Sequence, residues 1–349
     1  MKKNAGTYRR CVFCFALICA AALLIYGYYL YRENAAVQAE VAGRTEAAEE
    51  ETEDPQAGEQ NLFAQKEITY EGKTYRRDSY MKAVLCLGVD RRGTLEKTTT
   101  GFGGQADGIF LAARDTARNS LKLLMIPRDT MTNISLTDLS GNVLGKDVQH
   151  LALAYAYGDG REKSCEYMTE AVSELLEGLE IDFYLAVDID AVSVINDAVG
   201  GVTVTVPTEG METSDPSFIK GETVTLNGKQ AEAFVRYRDT EKSHSALYRM
   251  DQQQEYIDQF FRTAKEKSQE NRNIVQELFE GIQDYMITDM SKDQYLKMGM
   301  DALGTESFGA KDIYTLPGQG VATAKYDEFY PDREGLRKVV LDLFYREID

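Results

Sequence analysis

The sequence contains no tryptophan, two histidines and five cysteines. Each shortage removes a class of chemistry. His150 and His244 are too few for a histidine-built metal centre and leave little room for a Ser-His-Asp triad. Cys11, Cys14 and Cys19 fall in one apolar run, so only Cys86 and Cys165 remain for a folded domain. Two such residues make neither a disulfide framework nor a cysteine-rich zinc site. Positive charge is scarce too: 39 Lys plus Arg face 57 Asp plus Glu, a formal net charge of −18. A nucleic-acid binder needs a basic face, so this balance argues against one. Phosphate-binding loop, dinucleotide fingerprint and HExxH motif are all missing. What remains is a chain of 349 residues, 43% apolar, enough for one sizeable core. One domain of about 250 residues with short accessories fits that length.

Residues 11–31 (CVFCFALICAAALLIYGYYLY) carry no charge. A helix of about 20 apolar residues crosses the hydrocarbon of a bilayer. Lys2, Lys3, Arg9 and Arg10 precede the run, and tyrosines crowd its far end. Basic flanks stay inside and aromatic rings favour the interface, so the pattern predicts a single-pass membrane anchor. Residues 1–10 are then cytoplasmic and the remainder lies outside. A cleaved signal peptide would need a shorter apolar region and a small-residue cleavage site. Residues 33–59 hold nine acids and one base, with almost no large apolar side chains. Such a segment cannot bury enough surface to fold, so residues 32–66 read as an acidic, disordered tether and residues 67–349 as the domain.

Within the domain, EITYEGKTYRRDSY (67–80) reads as a small hairpin turning at Gly72. MKAVLCLGVD (81–90), GIFLAARD (108–115) and SLKLLMIP (120–127) read as strands, the last two an antiparallel pair. Helical spacing marks 165–179, 190–198, 227–234, 247–267, 272–285, 291–302 and a closing helix at 332–346. Further strands fall at 182–189, 201–207 and 312–318. Strands interleaved with helices predict an α/β layered domain: a central mixed β-sheet flanked by helices, preceded by one transmembrane helix.

The chemistry-bearing residues sit at the ends of these elements. Asp90 and Arg92 end the first long strand, Asp107 opens the second, and Arg128 and Asp129 follow the third. Arg236 and Arg238 follow the short helix, and Arg249 starts the next, with Gln252 and Gln253 one turn on. Arg236 and Arg238 face one side if their segment is extended and diverge if it is helical. Arg249 and Gln253, four apart, share a helix face. Converging arginines imply an anion, because the planar guanidinium fork matches phosphate oxygens two at a time. Two neighbouring carboxylates suit Mg²⁺, which takes one or two of them plus substrate phosphates. The plainer reading is that these groups pair with one another as surface salt bridges. On that reading Asp129 buttresses Arg128 or caps a turn, Arg92 is exposed, and both histidines are structural. GFGGQAD (101–107) reads as a mobile loop, Cys86 as a core residue, and Asn133-Ile134-Ser135 as a glycosylation triplet with no expected use if the organism is bacterial.

The order of the pieces resembles the LytR-CpsA-Psr family of bacterial cell-envelope phosphotransferases. The matching segments are LCLGVDRR, QADGIF, LLMIPRDT, LALAYAYGDG, IDFYLAVDIDAVSVINDAVGGVTVTVP, LNGKQAEAFVRYRD and YRMDQQQEYI, within residues 81–260. The resemblance implies a membrane-anchored enzyme that moves a glycopolymer, such as a teichoic acid, from an undecaprenyl-pyrophosphate carrier to a peptidoglycan sugar hydroxyl with Mg²⁺. It implies an apolar tunnel for the isoprenoid tail. Carried over residue by residue, it implies that Asp90 and Asp107 hold Mg²⁺ and that Arg128, Arg236 and Arg238 bind pyrophosphate. Arg249 and Gln253 match the family's helix motif, and Asp107, Arg128 and Arg238 are its catalytic set here. Gln105, His150, Ala246 and Gln252 stand where the family usually has Arg, Lys, Asp and Arg. These departures keep a second reading open, a binding or scaffolding protein that holds the lipid-linked glycan without transferring it.

Overall fold

The computed structural model describes residues 61–305 and 308–348. The cytoplasmic segment 1–10, the anchor 11–31 and most of the tether lie outside them. Among the described residues no helix is long and apolar enough to cross a membrane. The tether's expected end needs correction. Residues 61–66 belong to the folded domain: Phe63 is only 2% exposed, and its N–H donates to the Glu177 carbonyl at 2.8 Å. Its ring packs 5.2 Å from that of Tyr345. Three apolar residues, Leu62-Phe63-Ala64, inside a polar stretch give too little pattern to announce this.

The chain then runs β1 (Glu67–Tyr70), β2 (Lys73–Arg77), β3 (Met81–Val89), β4 (Ala106–Asp115), β5 (Ser120–Met125), β6 (Met131–Thr137), β7 (Val143–His150), α1 (Leu153–Ala156) and α2 (Glu162–Leu175). It continues β8 (Phe183–Asp188), α3 (Ile189–Ala198), β9 (Val202–Thr205), β10 (Thr223–Leu226), α4 (Gly228–Arg236), α5 (Ser245–Glu270), α6 (Ile274–Ile282) and β11 (Met286–Thr288). It ends α7 (Lys292–Leu303), β12 (Ile313–Thr315), β13 (Gly318–Ala322), β14 (Asp327–Pro331), α8 (Arg333–Phe344) and β15 (Tyr345–Glu347). The final segment is therefore a helix that hands over to a strand, where the sequence reads as helix to 346.

Six strands form the central sheet in the order β11-β8-β3-β4-β5-β12. β3 pairs antiparallel with β4 and parallel with β8, and β5 pairs parallel with β12, so the sheet is mixed. β1, β2 and β15 make a separate three-stranded sheet, and β6-β7, β9-β10 and β13-β14 are hairpins. The strand read at 201–207 thus lies outside the central sheet.

Alternation along the strands divides the sheet's two faces. Ala83, Leu85, Leu87 and Val89 of β3, with Ile109 and Leu111 of β4, point into a dense core. α2 and α8 cover that face with Met168, Val172, Val340 and Phe344. The intervening residues, Val84, Cys86 and Gly88 on β3 and Gly108, Phe110 and Ala112 on β4, border a cavity of about 390 Å³. Helices α3, α5, α6 and α7 roof it with Val192, Tyr256, Leu278 and Met298. Cys86, read as a core residue, lines this space, and burial pushes its thiol up to about 12.

Candidate functional site

One end of the cavity is polar, and the fold explains how each side chain reaches it. Between β3 and β4 the register passes from Gly88↔Gly108 to Val89↔Ala106, which leaves Asp107 as an extra, bulged residue. A bulge re-aims its side chain, and Asp107 turns to the cavity mouth. Gly88 and Gly108 face each other just inside. A Cβ on Gly108 would stand 3.7 Å from the Gln253 amide, so glycine there keeps the passage open. Helix α4 starts at a capping box, in which Gln230 N–H donates to Asn227 Oδ1 at 3.1 Å and Asn227 N–H to Gln230 Oε1 at 3.2 Å. It ends at Arg236, a favourable place for a cation. Arg249 and Gln253 lie one turn apart on α5 and both line the cavity.

Two charged clusters result. In the first, Asp107 Oδ2 accepts from Arg249 at 2.7 Å and Oδ1 from Arg128. Arg128 also donates to Gln105 Oε1 at 2.5 Å, and its Nε lies 3.2 Å from Asp129. Arg249 is 7% exposed. Burial, then the positive charges of Arg128 and Arg238, pull its guanidinium below its ordinary value, against the pull of Asp107. Its Nη2 is buried with no hydrogen-bond partner among the described residues. In the second cluster, Arg236 meets Asp90 at 3.3 Å and Glu232 at 3.1 Å. Arg92 meets Asp190 at 2.7 Å and also Glu232.

Arg236 and Arg238 diverge, because the helix takes in the first and releases the second. Arg238 Nε donates to Ser245 Oγ at 2.8 Å. Among the described residues it is the one member of Arg128, Arg236, Arg238 and Arg249 with no carboxylate within 4.0 Å. The salt-bridge reading therefore holds for three of these four, and the anion reading keeps a free fork at Arg238 and an orphaned donor on Arg249. Asp129 does lie against Arg128, and Arg92 is exposed but paired. The 101–105 loop is held to the domain through Gly101 N–H on the Ala156 carbonyl at 2.8 Å.

Two further residues shape the site without standing out in the sequence. Glu232 holds both Arg92 and Arg236; its place four before Arg236 on a helix was the available signal. Asp188, 1% exposed, caps α3 by accepting from Ala191 N–H at 3.0 Å. Its Oδ2 has no partner among the described residues, and burial pushes the carboxyl up to about 6. As to metal, Asp90 and Asp107 both border the mouth. No group of three or more His, Cys, Asp or Glu converges among the described residues. Both carboxylates are engaged by arginines, Asp107 by Arg128 and Arg249 and Asp90 by Arg236, and a hard cation such as Mg²⁺ would need one or two of them together with phosphate oxygens and water.

Together the fold and the mouth define an α/β domain suited to an amphiphile, with an apolar body in the cavity and an anionic head on the arginines. The LytR_cpsA_psr family model matches residues 37–342, and the chain belongs to that family. It is 31% identical over 166 residues to the polyisoprenyl-teichoic acid–peptidoglycan teichoic acid transferase TagV of Bacillus subtilis (strain 168), covering 46% of this chain and 38% of that protein. The chain thus spans under half the length of that curated relative. Its fold matches the crystal structure of B. subtilis TagV at 23% identity with a TM-score of 0.58, covering 76% of this chain and 97% of that one. The structure of TagT bound to LI-WTA matches at 21% identity with a TM-score of 0.57, covering 84% and 98%.

Proposed function

We propose that the protein is a membrane-anchored phosphotransferase that moves a glycopolymer from an undecaprenyl-pyrophosphate carrier to a peptidoglycan sugar hydroxyl during bacterial cell-wall assembly. The carrying observation is an apolar cavity of about 390 Å³ whose mouth bears Arg236, Arg249, Asp90 and Asp107. A polyisoprenyl tail fits an apolar slot, and charge-assisted bonds from guanidinium groups hold a pyrophosphate. The name of the TagV relative supports the donor and acceptor classes. The apolar run 11–31 and the bases before it support an anchor, with residues 1–10 cytoplasmic and the domain outside.

In this reading the tail lies along β3 and β4, and the pyrophosphate meets Arg249 Nη2 and the Arg238 fork. Arg128 holds Asp107 in place. Asp90 and Asp107 would hold Mg²⁺, which supplies further neutralisation of the phosphate charge when bound. The acceptor hydroxyl oxygen attacks the phosphorus bonded to the glycan and loses its proton to water, the bridging P–O bond breaks, and undecaprenyl phosphate leaves. Positioning and electrostatic stabilisation do the catalysis. Incubation of the full chain with a lipid-linked glycan and peptidoglycan should release undecaprenyl phosphate. Arg249→Ala should weaken carrier affinity about ten- to a hundredfold, since a charge-assisted contact is worth roughly 1.5–3 kcal/mol. Parent-like binding by a folded Arg249→Ala variant would overturn the site.

One observation favours a second reading, a scaffold that holds the carrier without transfer. Gln105 stands where the family usually has an arginine, and its Oε1 takes one arm of the Arg128 fork at 2.5 Å. Tight binding without release in the same assay distinguishes it.

A further inference from the structure

The β13-β14 hairpin is wedged between the two segments that carry the site. On one side Phe329 N–H donates to the Asp129 carbonyl at 2.9 Å, directly after Arg128. On the other, Asp327 accepts from His244 N–H at 2.6 Å, at the start of the helix that bears Arg249. Phe329 points inward and is buried, so its neighbours Glu328 and Tyr330 take the outer face. Tyr330 is partly open, its hydroxyl donating to Glu328 at 2.6 Å. Tyr326 is 65% exposed. A continuous path joins it to the arginines. The Tyr326 ring meets the His150 ring edge-on at 5.9 Å, His150 Nδ1 lies 3.9 Å from Asp129, and Asp129 lies 3.2 Å from Arg128.

We propose that Tyr326 and Tyr330 form a pyranose-stacking subsite for the glycan joined to the carrier pyrophosphate. This rests on the functional reading above. A pyranose presents C–H groups of partial positive charge on its ring face, which suit the negative face of an aromatic ring. Its hydroxyls need acceptors and donors, and Glu328 and the paired Gln319 on β13 stand beside Tyr330. Aromatic rings interleaved with polar side chains are not the contiguous apolar patch that a protein interface core requires. The donor glycan is the occupant because it is bonded to the phosphorus held at the arginines. It must leave the mouth past whatever borders it, and the hairpin borders the Arg128–Asp129 corner.

The test compares two probes on the full chain: undecaprenyl pyrophosphate alone, and the same lipid carrying an N-acetylglucosamine-containing disaccharide. Tyr326→Ala should weaken the sugar-bearing probe about five- to tenfold, the scale of one lost aromatic contact. It should leave the sugar-free probe unchanged, and Tyr326→Phe should restore most of the loss. Equal effects on both probes, or none on either, overturn the subsite while leaving the carrier site standing. Failure of the parent to bind either probe overturns the functional reading itself. If Tyr326→Ala instead abolishes binding of a soluble peptidoglycan disaccharide and spares both lipids, the hairpin serves the acceptor and the donor assignment is wrong.

Discussion

Phe110 and Leu111 are neighbours on β4 and meet opposite environments. Leu111 is enclosed in the dense core under α2 and α8, whereas Phe110 borders the cavity under α5 and α7. Both residues are apolar, and both strands β3 and β4 contribute alternately to the two sides. Toward the mouth what differs is size: the cavity side carries Gly88 and Gly108, while their strand neighbours Leu87 and Ile109 belong to the core cluster. One face is filled to hold the fold, and the other is left short of atoms to hold a ligand. Interiors are normally close-packed, so the empty face is a feature that needs an occupant.

The comparison can be broken first through stability. Leu111→Ala should cost about 2–5 kcal/mol, because the surrounding core cannot collapse onto the void. Phe110→Ala should cost about 1–2 kcal/mol despite the larger side chain, since one flank already meets open space and has few contacts to lose. Urea midpoints at constant slope measure both. Equal losses would mean the cavity is closed in solution.

A substitution that fills the empty face sharpens it next. Gly108→Leu keeps a backbone that L-residues adopt, and its Cβ has ordinary clearance from Gln253. The variant should fold with little change in midpoint and lose roughly a hundredfold in carrier-lipid affinity, because the side chain occupies the mouth. Retained affinity would move the tail elsewhere.

The smallest effect concerns pH. Burial, reinforced by Asp190 and opposed by Arg92, holds the Asp188 carboxyl at about 6 rather than 3.8. Between those values the unfolded chain has released a proton that the folded state keeps, so stability falls as pH rises from about 4 to about 6.5 and is level above. Asp188→Asn still caps α3 but has no proton to lose. Against the parent it should gain roughly 1–3 kcal/mol between pH 4 and pH 7. Parallel stability profiles for the two proteins would show that Asp188 is solvated.

The sheet was legible in the residues because β3, β4 and β5 are continuous apolar runs with abrupt polar ends. The β6-β7 hairpin was not, since β7 is exposed on both faces over Val143–Val148 and shows no alternation. Asp107, Arg128 and Arg249 could be singled out as strand- and helix-end charges. Their pairing could not, because it depends on a one-residue bulge that leaves no mark in the hydropathy pattern. The cavity was equally silent. Leu123, Met125 and Val187 border it, and nothing in an apolar side chain tells whether its neighbour is another side chain or a void. Only the resemblance to a tunnel-bearing family pointed there.

The last strand carries a consequence of its own. β15 pairs with β2, Ile348 N–H donates to the Thr74 carbonyl at 3.1 Å, and Tyr345 OH donates to the Phe63 carbonyl at 3.0 Å. The first hairpin therefore acquires its third strand only when residues 345–347 have been made. A chain interrupted earlier would present β2 as a bare edge, a template for pairing with other chains. Synthesis through residues 345–347 and protection of β2 from aggregation are thus one event, and a copy cut short of them advertises itself by the edge it leaves open.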